Sequence, residues 1–199
     1  MGEYIKLKDL ADHLHLKKGD NVYVTSDVKQ LLYDCMQNGD DTDLNILIDG
    51  IINIIGKDAT LVFPTFNWSF CKGEPYDHYK TPCKTGSLGK LALKRDDFAR
   101  TKHPNYSFAV WGKDKEAICA MDNKSSFGPD SPFEFMVSHG YRNLFIDKDR
   151  WSRFRGPVQT QLMKASFPRL YSFQKLDLYQ LRIPYLSRSP TTATISIPQ

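Results

Sequence analysis

The residues most suited to chemistry lie between Thr60 and His103. Pro64-Thr65-Phe66-Asn67-Trp68-Ser69 follows a short apolar run. Tyr76-Asp77-His78-Tyr79-Lys80-Thr81-Pro82, then Thr85-Gly86-Ser87-Leu88-Gly89, then Arg100-Thr101-Lys102-His103-Pro104 come next. Histidine beside neutral pH is the natural general base. His103 precedes proline, which holds it extended and off a helix. The bland alternative is an imidazole that hydrogen-bonds a loop. Asp77 and Asp130 are loop carboxylates suited to a cationic ligand or to solvent. Backbone amides of the Thr85–Gly89 turn could cradle a phosphate where it enters a helix, or serve as an ordinary cap. His78 reads as a loop residue, and His13 and His15 receive no role.

A stretch of more than twenty residues without regular structure is uncommon in a compact domain, and is functional or disordered. Phe66, Trp68, Phe70, Tyr76 and Tyr79 make this one too aromatic for disorder, and each needs a surface to pack against. It therefore reads as an ordered loop at the carboxyl end of a strand, where open α/β sheets bind ligands.

The flanking elements must position that loop. Leu7, Leu10 and Leu14 predict a short amphipathic helix over 5–16, ended by Lys17-Lys18-Gly19. A strand over 21–25 follows, then a helix over 28–37 capped by Ser26-Asp27. Asp41-Thr42-Asp43 opens a second helix. Its face of Leu44, Leu47, Ile48, Ile51, Ile52 and Ile55 is broad and stops at Gly56. Residues 59–63 are apolar throughout, as a strand covered on both sides is. A helix over 88–93, a strand over 108–111 and a helix over 113–120 come next. Ser131-Pro132-Phe133-Glu134 has the form of a capping box with proline at the first helical position. That helix ends near Gly140, and a strand over 141–146 closes the series. Strand–helix alternation predicts a layered αβα fold of the α/β class with a mixed sheet, incomplete or irregular in its C-terminal part.

Composition sorts the function classes. Apolar residues make up 41% and charged residues 25% of the 199, ordinary for a globular domain. No run of apolar residues is long enough for a membrane span. The start of the chain lacks a signal-peptide core, and Lys6 stands where a myristoylation motif needs Ser or Thr. Cys35, Cys71, Cys83 and Cys119 are dispersed, which argues against a zinc site or disulfide framework and for free thiols in a reducing cytoplasm. The net charge of +4 is uneven. Residues 151–199 hold five Arg, two Lys and one Asp, or +6, which leaves −2 on the first 150. Positive charge confined to the least patterned segment argues against nucleic-acid binding. Beyond Arg150 the chain is rich in Ser, Pro and Arg, with no glycine after Gly156 and no glutamate after Glu134. Residues 1–150 are thus read as an α/β domain and 151–199 as a divergent basic tail. There is no Walker loop, no Gly-x-Gly-x-x-Gly and no Gly-x-Ser-x-Gly.

Four ordered blocks resemble the aminoglycoside 3-N-acetyltransferase family. They are Pro64-Thr65-x-x-Trp68, Tyr76-Asp77 with Thr81-Pro82 and Gly86, Arg100-x-x-His103-Pro104-x-x-Ser107, and Phe127-Gly128-x-x-Ser131-Pro132-Phe133. The resemblance covers residues 5–147. Cys83 stands where the family has serine, and Thr25-Ser26 where it has His-Ser-Ser. The resemblance implies an antibiotic-resistance type of transferase that moves acetyl from acetyl-CoA to an amine of an aminoglycoside or other amino sugar. It implies a cytoplasmic enzyme that needs no metal, with a small-molecule substrate, no nucleic-acid or membrane partner and a possible homodimer. If the chain transfers acetyl, His103 is the best available base; Ser26, Thr85 and Gly86 are the expected CoA contacts, and Trp68, Asp77 and Ser107 the expected substrate contacts. The family's downstream Thr-x-x-His-x-x-Glu, which carries its expected base, is absent from 148–199. That departure looks like a frameshift, fusion or deletion. The alternative reading is an inactive remnant that at most binds CoA or an amino sugar.

Overall fold

The structure is a computed structural model and describes residues 4–146. Expectations for the tail, and for a domain boundary at 150, lie outside the described residues. Five strands form one mixed sheet: β1 (Val22–Ser26), β2 (Thr60–Pro64), β3 (Ala99–Arg100), β4 (Phe108–Gly112) and β5 (Arg142–Ile146). Their order is β3-β4-β2-β1-β5. β1 runs parallel to β2 and β5, with Val22 opposite both Leu61 and Arg142. β4 returns antiparallel along β2, Val62 opposite Val110, and β3 lies antiparallel to β4. The helices are α1 (Lys29–Gln37), α2 (Leu44–Ile55), α3 (Ser87–Ala92), α4 (Lys115–Ala120) and α5 (Pro132–Ser138).

The sheet separates two cores, as a three-layer αβα fold requires. One face of β1, β2 and β5 packs on α1, α2 and α3 through Val22, Val24, Leu61, Phe63, Leu144 and Ile146. α2 is central here: Leu47, Ile48, Ile51 and Ile55 are wholly buried, and Asp43 caps it by accepting from the Asn45 amide at 2.9 Å. The other face is smaller and more aromatic, with Val62, Phe108, Val110 and Tyr141 against Ile118 of α4 and Met136 of α5. The four buried residues of β2, Thr60 to Phe63, match the reading of a strand covered on both sides.

Several local expectations need correction. The first helix is a 3₁₀-helix over Leu7–Leu14. The spacing of Leu7 to Leu10 suits three residues per turn as well as 3.6, so the pattern does not separate the two. It packs tightly on α2, where a Cβ on Gly50 would stand 2.7 Å from the Ala11 Cβ. Val28, not Ser26, occupies the N-cap of α1; the Asp27 carboxylate accepts from the Lys29 amide at 3.3 Å. The capping box at α5 is half formed. Ser131 Oγ accepts from the Glu134 amide, but the Ser131 amide donates to the Gly128 carbonyl, which leaves the Glu134 carboxylate no such duty. The central loop contains a 3₁₀-helix over Ser69–Lys72, and its neighbour β3 is two residues long, too short to carry a period of two.

Candidate active site

The segment from Thr65 to Ser107 leaves the carboxyl end of β2, passes through α3 and the short β3, and reaches the start of β4. From Thr65 to Thr85, polar side chains supply much of the order. Thr65 Oγ1 and Ser107 Oγ are 2.9 Å apart, and Ser107 Oγ also lies 3.0 Å from the Thr65 carbonyl. The Asn67 side chain accepts from the Ser69 amide and donates to the Pro82 carbonyl, at 2.8 and 2.7 Å. Thr85 Oγ1 accepts from the Phe66 amide at 2.9 Å, and the Lys84 amide donates to the Phe66 carbonyl. Buried backbone groups need such partners, and this loop finds them in side chains.

Tyr76 to Pro82 forms a closed turn. The Asp77 carboxylate accepts from the amides of Tyr79 and Lys80, and the Asp77 amide donates to Thr81 Oγ1 at 2.8 Å. The Lys80 and Tyr79 amides hold the Asp77 carboxyl below the usual carboxylate range. Asp77 thus spends one oxygen on the turn. Arg100 lies beneath, 8% exposed. Its Nη1 donates to the carbonyls of Thr81 and His78, Nη2 to the Thr65 carbonyl at 3.3 Å, and Nε to Ser107 Oγ at 3.1 Å. The guanidinium also stands 5.5 Å from the centre of the Tyr76 ring. Burial pushes the Tyr76 hydroxyl up, against the pull of Arg100 and Ser107. That hydroxyl is shielded from solvent without a hydrogen bond of good geometry. Burial, then the nearby Arg100 charge, lowers His78.

A cavity of about 220 Å³ opens between the 3₁₀-turn and the Tyr76–Pro82 turn. Its wall includes Asn67, Phe70, Glu74, Tyr76, Thr81 and Lys84. The Lys84 ammonium contacts Ser69 Oγ across this space. The aromatic side of the loop is a nest of edge-to-face and tilted ring pairs. Phe66 meets Tyr106 at 5.1 Å and Phe108 at 5.4 Å, while Phe127 meets Tyr106 and Phe133.

The candidate residues take different places. His103 is buried, and Nδ1 accepts from the amides of Asn105 and Tyr106, at 3.2 and 3.1 Å. Two donors on Nδ1 put the imidazole proton on Nε2, which stands 3.1 Å from Ser126 Oγ. Burial lowers its pKa and keeps the ring neutral. Both nitrogens are therefore engaged, joining the 101–107 segment to the 126–133 segment. Ser107 is wholly buried and reaches no solvent. Trp68 is 42% exposed and packs edge-on against Phe66 and Tyr106. Phe70 and Tyr79 are also exposed, so these loop aromatics do not all find the cover expected of them. Ser26 and Gly86 do come together: a Cβ on Gly86 would stand 3.8 Å from the Ser26 carbonyl. Gly86 has φ +67°, a conformation that favours glycine. Gly89 is required for space, since a Cβ there would lie 2.3 Å from the Pro64 carbonyl, letting α3 press on the end of β2.

The family profile described as Aminoglycoside 3-N-acetyltransferase matches residues 24–152. The chain belongs to that family. The match begins later than the resemblance read from the motifs and runs five residues further. Solved structures agree on the fold. The apoenzyme of aminoglycoside acetyltransferase AAC(3)-IVa superposes with a TM-score of 0.60 at 21% identity, covering 73% of this chain and 55% of that one. AAC-IIIb, solved as a binary complex with CoASH, gives 0.59 at 17% identity, covering 72% and 59%. The YokD protein from Bacillus subtilis gives 0.56 at 22% identity, covering 68% and 63%. The chain thus spans about 55 to 63% of the length of these three proteins. No curated protein sequence matches it. Among the described residues no helix is long and apolar enough to cross a membrane, and no group of His, Cys, Asp or Glu is arranged to hold a metal ion.

Arg100 and Asn67 are among the site residues to which the sequence reading gave no role. Arg100 is a fixed position of a quoted motif and Asn67 an open one. Their contacts are with backbone groups, several of them distant in sequence.

Proposed function

We propose that this chain carries the acyl-acceptor and CoA-facing half of an acetyl-CoA-dependent N-acetyltransferase acting on an amine of an aminoglycoside or related amino sugar. One observation carries the reading. In a chain of this family, the carboxyl ends of β1 and β2 present two different surfaces side by side. On one side the Ser26 carbonyl meets the exposed Gly86 turn. On the other stands the cavity lined by Glu74, Asn67, Tyr76 and the exposed Phe70, with the exposed Trp68 next to Asn67 in the chain. A thioester with a long polar tail suits the first, and a hydroxyl-rich ammonium ligand suits the second. Ser26, Thr85 and Gly86 then face CoA, with Thr85 acting through the Phe66 amide it holds.

The reaction joins the amine nitrogen to the thioester carbonyl carbon, breaks the carbon–sulfur bond and releases the CoA thiolate. The attacking amine must first lose its ammonium proton. As folded here, His103 has no free nitrogen to take it. We assign His103 to the loop instead, as the clamp between Tyr106 and Ser126. Phe70 and Tyr76 are the aromatic wall of the cavity, and the exposed Trp68 beside Asn67 offers the sugar a further ring. Asp77 and Ser107 act on the substrate side indirectly, by shaping the turn and the Arg100 pocket.

Equilibrium binding of CoA and of sisomicin, which a solved relative binds, tests the proposal, followed by thiol release from acetyl-CoA with a panel of amino sugars. Saturable binding of both is expected. Folded protein that binds neither at millimolar concentration overturns the reading.

A further inference from the structure

Arg100 is a buried cation that no carboxylate meets among the described residues. Its four hydrogen bonds go instead to three backbone carbonyls and one hydroxyl. Those acceptors belong to separate stretches: the end of β2 (Thr65), the Tyr76–Pro82 turn (His78 and Thr81), and the start of β4 (Ser107). Tyr76 adds its ring face. Burying a charge without a counter-ion is costly unless hydrogen bonds replace the water it loses. The arrangement is therefore worth its cost only where the geometry of those carbonyls matters. Two of the elements it holds, Tyr76 and Thr81, are walls of the cavity. A planar fork spreads its donors over three nitrogens in fixed directions and reaches four acceptors on separate stretches, whereas the three donors of a lysine ammonium radiate from one atom.

We propose that Arg100 is the positioning residue of the acceptor side: it sets the Tyr76–Pro82 turn against β2 and β4, and so fixes the cavity wall that meets the amino sugar. This rests on the function proposed above for the ligand, but not for the loop.

The experiment uses the full chain with Arg100→Lys and Arg100→Ala. Amide exchange over residues 76–84 is followed beside exchange over α2. Binding of sisomicin and of CoA is measured separately. In Arg100→Lys, exchange in the turn should accelerate about ten- to a hundredfold, the change that corresponds to losing a hydrogen bond to a charged donor. α2 should be unaffected. Affinity for sisomicin should fall by about tenfold or more while CoA affinity holds. Guanidinium ion at millimolar concentration should restore turn protection in Arg100→Ala, an effect that general destabilisation would not produce. Wild-type exchange across the turn in Arg100→Lys overturns the proposal, as does equal loss of both ligands. Should Arg100→Ala fail to fold, Arg100→Lys alone decides. If the wild type binds no sisomicin, the functional reading fails, and exchange in the turn still decides the role of Arg100.

Discussion

The two sides of the sheet are held together in different ways. The side carrying α1, α2 and α3 is mostly aliphatic, with Phe63 and Phe98 set among leucine, isoleucine and valine, and its contacts need only area and fit. The side carrying α4 and α5, with the loop above it, is aromatic and polar. There, edge-to-face rings and hydrogen bonds to backbone fix the arrangement. The first kind of core tolerates exchange of one apolar residue for another of similar volume. The second depends on particular atoms. The candidate site sits on the second, which is where a ligand needs its walls held in place.

Variants on the two sides should separate these behaviours. Ile51→Ala opens space at the centre of α2, where the side chain is fully buried. It should cost about 2–5 kcal/mol in denaturant unfolding. A smaller loss would mean that the aliphatic layer closes over the space. His103→Ala removes the acceptor for two part-buried amides. It should cost about 1–3 kcal/mol, with the loosening confined to the loop in amide exchange. This residue also gives a pH signature. Its folded pKa lies below the unfolded value of 6.5, so the unfolded state takes up the proton first. Its contribution is complete above about pH 6.5 and is lost as pH falls toward the lower folded value. Wild-type stability should therefore drop over that window more steeply than that of His103→Ala. Parallel curves would remove His103 from the clamp.

Ser131→Ala deletes the hydroxyl that caps α5. A loss of about 0.5–2 kcal/mol is expected, read in chemical denaturation followed by circular dichroism. No change would show that the Gly128 carbonyl alone starts the helix. The smallest effect belongs to Tyr79→Ser at the tip of the turn. Tyr79 is 92% exposed, so stability should stay within about 0.5 kcal/mol. A larger loss would show that the tip packs on something, and would weaken the contrast drawn between loop and layer.

Much of this molecule follows from its sequence alone. The isoleucine face of α2, the uninterrupted apolar run of β2 and the caps at Asp43 and Ser131 are local patterns, set by residues within a turn or two of each other. The four motif blocks were enough to name the family and to place an ordered loop at the carboxyl end of β2. The tertiary structure decided what the motif residues touch. His103 has the residue type of a base; that Asn105, Tyr106 and Ser126 surround its ring is visible only in the fold. Asp77 reads as a ligand carboxylate until it caps its own turn. Arg100 carries no signal of its role at all, because its partners are carbonyls, which every residue has. Periodicity reports which face of an element is buried; it carries nothing about which distant backbone atom a side chain meets. Those contacts form only when the sheet brings residues 65, 78, 81, 100 and 107 together.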